Sequence, residues 1–182
     1  MPDSLRSCRD VPRDAEHRRR APHPGRTSFR DMEKTTRKTV VCDIDDTVSA
    51  MGPRRALLQS TPVDWKRFYE DPFDDEPIQD NCDAVARLLG NGVAVLFSTS
   101  RQECCRERTL RWLRKHISAA ITDGMLLMRP DDCDLPEPVQ KVEGVLSRVA
   151  ASDIALVIDD NDAILSAWEA RGVQTIAFEA PA

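Results

Sequence analysis

The sequence predicts an α/β fold, a three-layer sandwich in which a mostly parallel five-stranded sheet is covered by helices on both faces. Three observations support it. Apolar, strand-like runs alternate with helix-like stretches from about residue 38 to 178. The runs T-V-V-C, V-A-V-L-F-S and I-A-L-V-I are apolar almost throughout rather than alternating, as strands buried on both faces are. The polar residues that break these runs fall where the strands end, the edge at which parallel sheets place their ligands. A chain of 182 residues with 41% hydrophobic content suffices for one such core plus a tail.

The elements follow in order. The first strand spans about 38–43 and leads into Asp43, Asp45 and Asp46, then Thr47. Residues 49–80 are a long connection holding Arg54-Arg55 and Leu57-Leu58. Within it Trp65, Phe68 and Tyr69 fall at helical spacing, which predicts a short helix with a packed aromatic face. The same residues would also make a platform for a base. Residues 81–89 read as a helix, with Asn81 near its start and Gly90 past its end. A second strand over 93–98 ends in Ser98-Thr99-Ser100-Arg101. From Gln102 to His116, Leu110, Trp112, Leu113 and Ile117 gather on one side of an amphipathic helix. The third strand is 124–128, followed by an acidic, Pro-rich loop over 130–138. A helix over 139–149 carries Lys141 near its start. A fourth strand over 154–158 ends in Asp159-Asp160, a helix over 162–170 contains Trp168, and 173–178 is the last strand.

Charge is unevenly placed. Residues 1–38 hold 11 Lys/Arg and 6 Asp/Glu, a formal +5; the remainder holds 15 and 25, a formal −10, which sums to the overall −5. The acidic body argues against a protein that coats nucleic acid. Residues 1–36, rich in Arg, Pro and Ser and without hydrophobic period, read as a basic disordered arm, leaving 37–182 as the folded domain. Arg18-Arg19-Arg20, Arg26 and Arg30 can contact phosphates, and Met32 would serve as a start just ahead of the first strand. No run approaches a membrane-spanning length and no apolar signal core follows Met1, so a cytoplasmic protein is expected. The cysteines at 8, 42, 82, 104, 105 and 133 show no zinc spacing and are expected to be reduced.

The strand ends carry the chemistry. Crowded carboxylates raise each other's pKa, and a cation resolves the conflict. Hard oxygen ligands suit Mg²⁺, which takes one or two carboxylates with water and substrate phosphate. Asp43 can attack phosphorus and become an aspartyl-phosphate. Asp45, two residues on, projects to the same side and can protonate a leaving oxygen, then deprotonate water. Thr99 offers a hydroxyl, Lys141 a compact positive charge, and Asp159 and Asp160 complete the metal site with Asp43. Positioning and electrostatics carry most phosphoryl transfer, so this set is chemically sufficient. Blander roles exist for each group: an acidic loop after a strand, a surface lysine, or helix caps at Thr99 and Asp159-Asp160. Their convergence from separate strands favours the functional reading.

The order D-x-D-x-T, T-x-R, Lys and D-D resembles the haloacid-dehalogenase (HAD) phosphohydrolase superfamily. Over about 38–178 the chain is similar to the phosphatase domain of phage-type polynucleotide kinases. The matching segments are C-D-I-D-D-T-V (42–48), R-R-A-L-L (54–58), D-W-K-R-F (64–68), D-E-P-I (75–78) and T-S-R (99–101). T-L-R-W-L-R-K-H (109–116), L-L-M-R-P (126–130) and I-D-D-N-D-A-I-L-S-A-W (158–168) extend the match. The resemblance implies a Rossmann-like sheet of order 5-4-1-2-3 with no large cap, and hence an open site. It implies Asp43 as the nucleophile, Asp45 as general acid/base, and Thr99, Lys141 and Arg101 in the site. Mg²⁺ would be held by Asp43, the backbone carbonyl of Asp45, and Asp159 or Asp160. Thr47, Ser100, Arg54 and Arg55 are expected to contact substrate. Three departures stand out: Asp46 and Ser100 occupy positions where relatives have Gly, and D-L-P-E-P-V-Q-K replaces a basic, Asp-rich loop before Lys141.

The expected activity is a Mg²⁺-dependent phosphomonoesterase removing a terminal 3′-phosphate from DNA or RNA, with nucleic-acid ends as the partner in repair. Nucleotides or other small phosphomonoesters are the alternative substrates. A phospho-accepting receiver-type signalling module is the alternative of another class. There is no G-x-x-x-x-G-K-S/T, so no 5′-kinase activity is expected from this chain.

Overall fold

The apolar run after Lys38 forms β1 (Thr39–Cys42), and its alternate side chains divide the core in two. Val40 and Cys42 face one side of the sheet, Val41 the other. The structure, a computed structural model, describes residues 38–59, 61–63, 65–70 and 75–178; the side chains of 65, 66 and 70 lie outside that description. The basic arm read over 1–36, and Met32 with it, also lies outside the described residues.

The chain continues through β2 (Ser49–Ala50), a 3-10 helix (Gly52–Gln59), α1 (Trp65–Glu70) and β3 (Glu76–Pro77). Then come α2 (Gln79–Gly90), β4 (Ala94–Gln102), a 3-10 turn (Glu103–Cys105), α3 (Arg106–His116) and β5 (Leu126–Arg129). The last elements are α4 (Glu137–Leu146), β6 (Ile154–Asp159), α5 (Asp162–Glu169) and β7 (Thr175–Ala177). The main sheet runs β5-β4-β1-β6-β7, with every pairing parallel. These numerals differ from the expected 5-4-1-2-3 because two short strands went unread in the 49–80 connection. β2 and β3 pair antiparallel in a separate two-stranded sheet. Skipping them, the main sheet counts 3-2-1-4-5, the expected order read from its other edge.

Layering follows from side-chain alternation. Val85 of α2 and Leu110, Trp112 and Leu113 of α3 pack with Val40, Val95 and Phe97 on one face. Val142 and Val145 of α4 and Ile164 and Trp168 of α5 pack with Val41, Leu96 and Val157 on the other. Each fully buried aliphatic or aromatic side chain contributes about 1.5–3 kcal/mol, so the two faces hold the sheet rigid beneath its polar edge. No helix among the described residues is long and apolar enough to cross a membrane.

Several boundaries depart from expectation: α3 begins at Arg106, β5 at Leu126, α4 spans Glu137–Leu146 and β7 only Thr175–Ala177, and two further departures bear on the site. β4 runs on to Gln102, past the expected end at Ser98, and its pairing with β5 shifts register between Ser98 and Gln102. Thr99, Ser100 and Arg101 therefore sit in an irregular stretch of strand rather than in a loop. The 49–80 connection is not a bare loop either. Its 3-10 helix and α1 form a small cover beside the strand ends.

Candidate active site

The turn after β1 brings the acids together. Amide N–H groups of Thr47, Val48 and Ser49 all donate to the Ile44 carbonyl, and Asp46 N–H donates to Ser49 O at 2.7 Å. Asp46 takes φ 56°, the left-handed region that Gly favours and Asp tolerates. Gly would take the same conformation without strain. Asp46 is further tied to Met51 N at 3.3 Å and ion-paired with Arg55. Ser100, the other position where the resemblance implies Gly, lies in β4 without a positive φ.

One half of the site is a carboxylate cluster around a single cation. Lys141 Nζ, on α4 and 3% exposed, donates to Asp43 at 2.7 Å and to Asp159 at 3.0 Å. Glu137 lies one turn back, at 3.6 Å from the same nitrogen, and accepts from the Ser100 hydroxyl at 2.7 Å. The Thr47 hydroxyl lies 3.3 Å from Asp43 and 3.4 Å from Asp160. Oxygens of Asp43, Asp159 and Asp160 all lie within 4.8 Å of one another. Burial raises Asp43 well above its ordinary range; Lys141 opposes the shift, and Asp159 and Asp45 add to it. Asp159 is likewise raised, by burial first. Desolvation and the Asp159 charge push Asp160, at the exposed rim, up to about 6. Burial works against the charge on Lys141, but Asp43 and Asp159 outweigh it and raise its pKa. Asp43, Asp159 and Glu137 thus share one lysine while Asp160 adds a further carboxylate at the rim, a deficit of positive charge that a divalent cation fits.

The other half is a clamp of two buried arginines. Arg101, at 1% exposure, donates to Asp45 from Nε and Nη2 at 3.0 and 2.8 Å, and to Asp75 at 3.0 Å. Arg54 reaches Asp45 at 2.6 Å and Asp75 at 2.5 and 3.1 Å. Ser49 Oγ joins the same network. Phe68 stacks on Arg54, with the guanidinium carbon 4.4 Å from the ring centroid. Burial pushes the Asp45 carboxyl up, but Arg101 and then Arg54 outweigh it and hold it well below the ordinary carboxylate range. The Nη1 atoms of Arg54 and Arg101 are buried and lack hydrogen-bond partners among the described residues.

Every expected site residue stands at this edge, with roles divided differently from the reading. The carboxylate of Asp45 faces the arginines and lies outside the Asp43, Asp159 and Asp160 cluster, so a part in ion binding would fall to its backbone carbonyl. Arg54 is buried against Asp45 and Asp75, whereas Arg55, with its side chain 54% exposed, pairs with Asp46. Thr99 is fully buried, and its hydroxyl accepts from Arg101 N–H at 3.1 Å. The capping alternatives fall away. Gln102 is the N-cap after β4, and Asn161 caps α5, its side chain accepting from Ala163 N–H at 2.9 Å. Asp75 was missed as a site residue, although it stands in D-E-P-I. The signal was an acid between hydrophobic segments, but its partners are 21 and 26 positions away in sequence. Asn81, whose side chain donates to Thr47 O at 2.7 Å, was read only as a helix start.

A parallel sheet bearing this D-x-D, Lys and D-D edge defines a phosphatase domain of the HAD type. The profile described as the polynucleotide kinase PNKP phosphatase domain matches residues 37–180, and the chain belongs to that family. The receiver-type alternative drops out with that membership. Among solved structures the fold is similar to a chain in a Pnkp1/Rnl/Hen1 complex, at 20% identity and a TM-score of 0.63, over 80% of this chain and 48% of that one. It is similar to the class C acid phosphatase from Bacillus anthracis, at 19% identity and TM-score 0.59, over 82% and 70% of the two chains. A haloacid dehalogenase-like hydrolase from Streptococcus pneumoniae aligns at 10% identity and TM-score 0.54, over 79% and 85%. The chain thus spans about half the length of the Pnkp1/Rnl/Hen1 chain it resembles. No curated protein matches the sequence.

Proposed function

We propose that this chain is a Mg²⁺-dependent phosphomonoesterase that removes the terminal 3′-phosphate from DNA or RNA ends. The observation that carries the chemistry is the meeting of Asp43, Lys141 and Asp159 at 2.7 and 3.0 Å, contributed by β1, α4 and β6. Family membership and the likeness to a chain of an RNA repair complex support the nucleic-acid substrate.

Asp43 is the nucleophile. One of its oxygens bonds to phosphorus as the bond to the leaving oxygen breaks, giving an aspartyl-phosphate. Lys141 holds Asp43 in place and balances charge on the incoming phosphate. Asp43, Asp159 and Asp160 would hold Mg²⁺, which when bound offsets the repulsion between two approaching anions. Asp45, kept ionised by two guanidiniums, is set to take a proton from the water that hydrolyses the acyl phosphate. For Asp45 to protonate the leaving oxygen first, at least one guanidinium contact must loosen as substrate enters. Arg101 and Arg54 therefore govern which protonation state Asp45 adopts.

Purified protein with Mg²⁺ should hydrolyse a 3′-phosphorylated oligonucleotide faster than nucleoside monophosphates or sugar phosphates. Equal or better turnover of the small esters would remove the polynucleotide assignment and leave the phosphatase one. Asp45→Asn should lose most activity and accumulate a phosphate adduct on Asp43, detectable by mass spectrometry; absence of any adduct together with wild-type turnover would end the acid/base role.

A further inference from the structure

We propose that the cavity beside Asp45 seats the nucleobase of the nucleotide that carries the scissile phosphate, so that the enzyme recognises an end mainly through its last base. The proposal rests on the phosphatase reading above. A cavity of about 460 Å³ adjoins the active site, with Asp45 and Arg101 in its wall. That volume lies within the range of small-ligand sites, roughly 300–1,000 Å³. Because the leaving oxygen must come to Asp45, whatever is joined to that oxygen extends into this space.

The lining is chemically mixed. Met51, Leu58 and Tyr69, all from the segment between β2 and β3, line the cavity together with Gln102 and Arg129, from the ends of β4 and β5. Tyr69 is half-buried and sits edge-on to Phe68, with centroids 5.2 Å apart at 81°. Phe68 in turn stacks on Arg54, so the aromatic wall is braced by the residue that clamps Asp45. The Arg129 guanidinium is oriented by the carbonyls of Cys133, at 3.0 and 2.7 Å, and Leu135, at 2.6 Å. A lining that combines apolar and aromatic side chains with an amide and a guanidinium suits a flat ring with a hydrogen-bonding edge. A sugar phosphate offers no such apolar face.

The test compares a 3′-phosphorylated oligonucleotide having a natural last base with one whose last residue is an abasic tetrahydrofuran, in deoxy and ribo series, with Mg²⁺. The abasic end should raise KM on the order of tenfold with kcat little changed, the size expected for one base–aromatic stack. Tyr69→Ala should raise KM for the natural end to a similar degree and add far less on the abasic end, and Tyr69→Phe should restore wild-type behaviour. Equal KM for the two ends in the wild-type enzyme overturns the base-site assignment while leaving the phosphatase reading standing. Hydrolysis of an aryl phosphate with neither oligonucleotide turned over would overturn the polynucleotide reading and this proposal together.

Discussion

Asp43 and Asp159 both accept from the one Nζ of Lys141, so a single buried cation faces two buried anions with a third at the rim. Replacing Asp43 by Asn removes one of the competing charges and leaves Lys141 paired with Asp159. Asp43→Asn should therefore abolish hydrolysis while Tm stays level or rises; activity and thermal melts on the same preparation check both halves. Asp75 has the opposite position. It is 3% exposed in its side chain and shares two buried guanidiniums with Asp45. Asp75→Asn leaves two arginines against one carboxylate, a broken buried pair that should cost about 3–5 kcal/mol. Urea denaturation would read that loss, and a change below about 1 kcal/mol would contradict the clamp. The two carboxylates thus separate a charge kept for chemistry from one kept for structure.

At the scale of elements, α3 is tied to the arginine clamp through one bond. Trp112 is fully buried, and its Nε1–H donates to the Asp75 carbonyl at 2.8 Å. Trp112→Phe preserves most of the ring but leaves that carbonyl unpaired, at a cost of about 1–3 kcal/mol plus the lost volume. The same change should lower kcat, because Asp75 helps to orient Arg101 against Asp45. Equilibrium unfolding and steady-state kinetics distinguish it from a change that alters packing alone. The register shift in β4 serves the same edge. A strand paired regularly with β5 through residue 102 would hold Thr99, Ser100 and Arg101 in strict alternation, whereas the irregularity lets Arg101 turn into the clamp and Ser100 reach Glu137.

For the molecule as a whole, the unbalanced acids predict how it responds to metal and pH. Mg²⁺ held by Asp43, Asp159 and Asp160 would bind only the folded arrangement, so it should raise Tm, with a stability gain of about 2.7 kcal/mol at a concentration one hundred times its Kd. EDTA should reverse that gain and abolish hydrolysis; a melting curve indifferent to both would contradict the site. In metal-free protein Asp160 is raised from an ordinary 3.8 to about 6. Between those values the folded state holds a proton that the unfolded chain has released, so this group favours folding at low pH. Its contribution fades as pH rises from about 4 to about 6 and is gone above that. The metal-free protein should therefore melt lower at pH 7 than at pH 5 on account of this cluster, and Asp160→Asn should flatten the difference.

The sheet and the metal-facing half of the site were legible in one dimension. Fully apolar strands announce a parallel sheet, and parallel topology sends Asp43, Thr99 and Asp159 to one edge whatever the details of packing. The arginine clamp was not legible, because a charged residue in a connection reads as solvated until tertiary structure buries it. In residue pattern Arg54 stood out only as half of an Arg-Arg pair and Asp75 not at all, yet the two meet each other across 21 positions of sequence. The sequence alone determined the topology and the set of polar groups brought to one edge of the sheet, through hydrophobic pattern and residue type. Tertiary structure alone decided that Asp45 is held ionised and that a cavity lies beside it, since both depend on which side chains close over the strand ends.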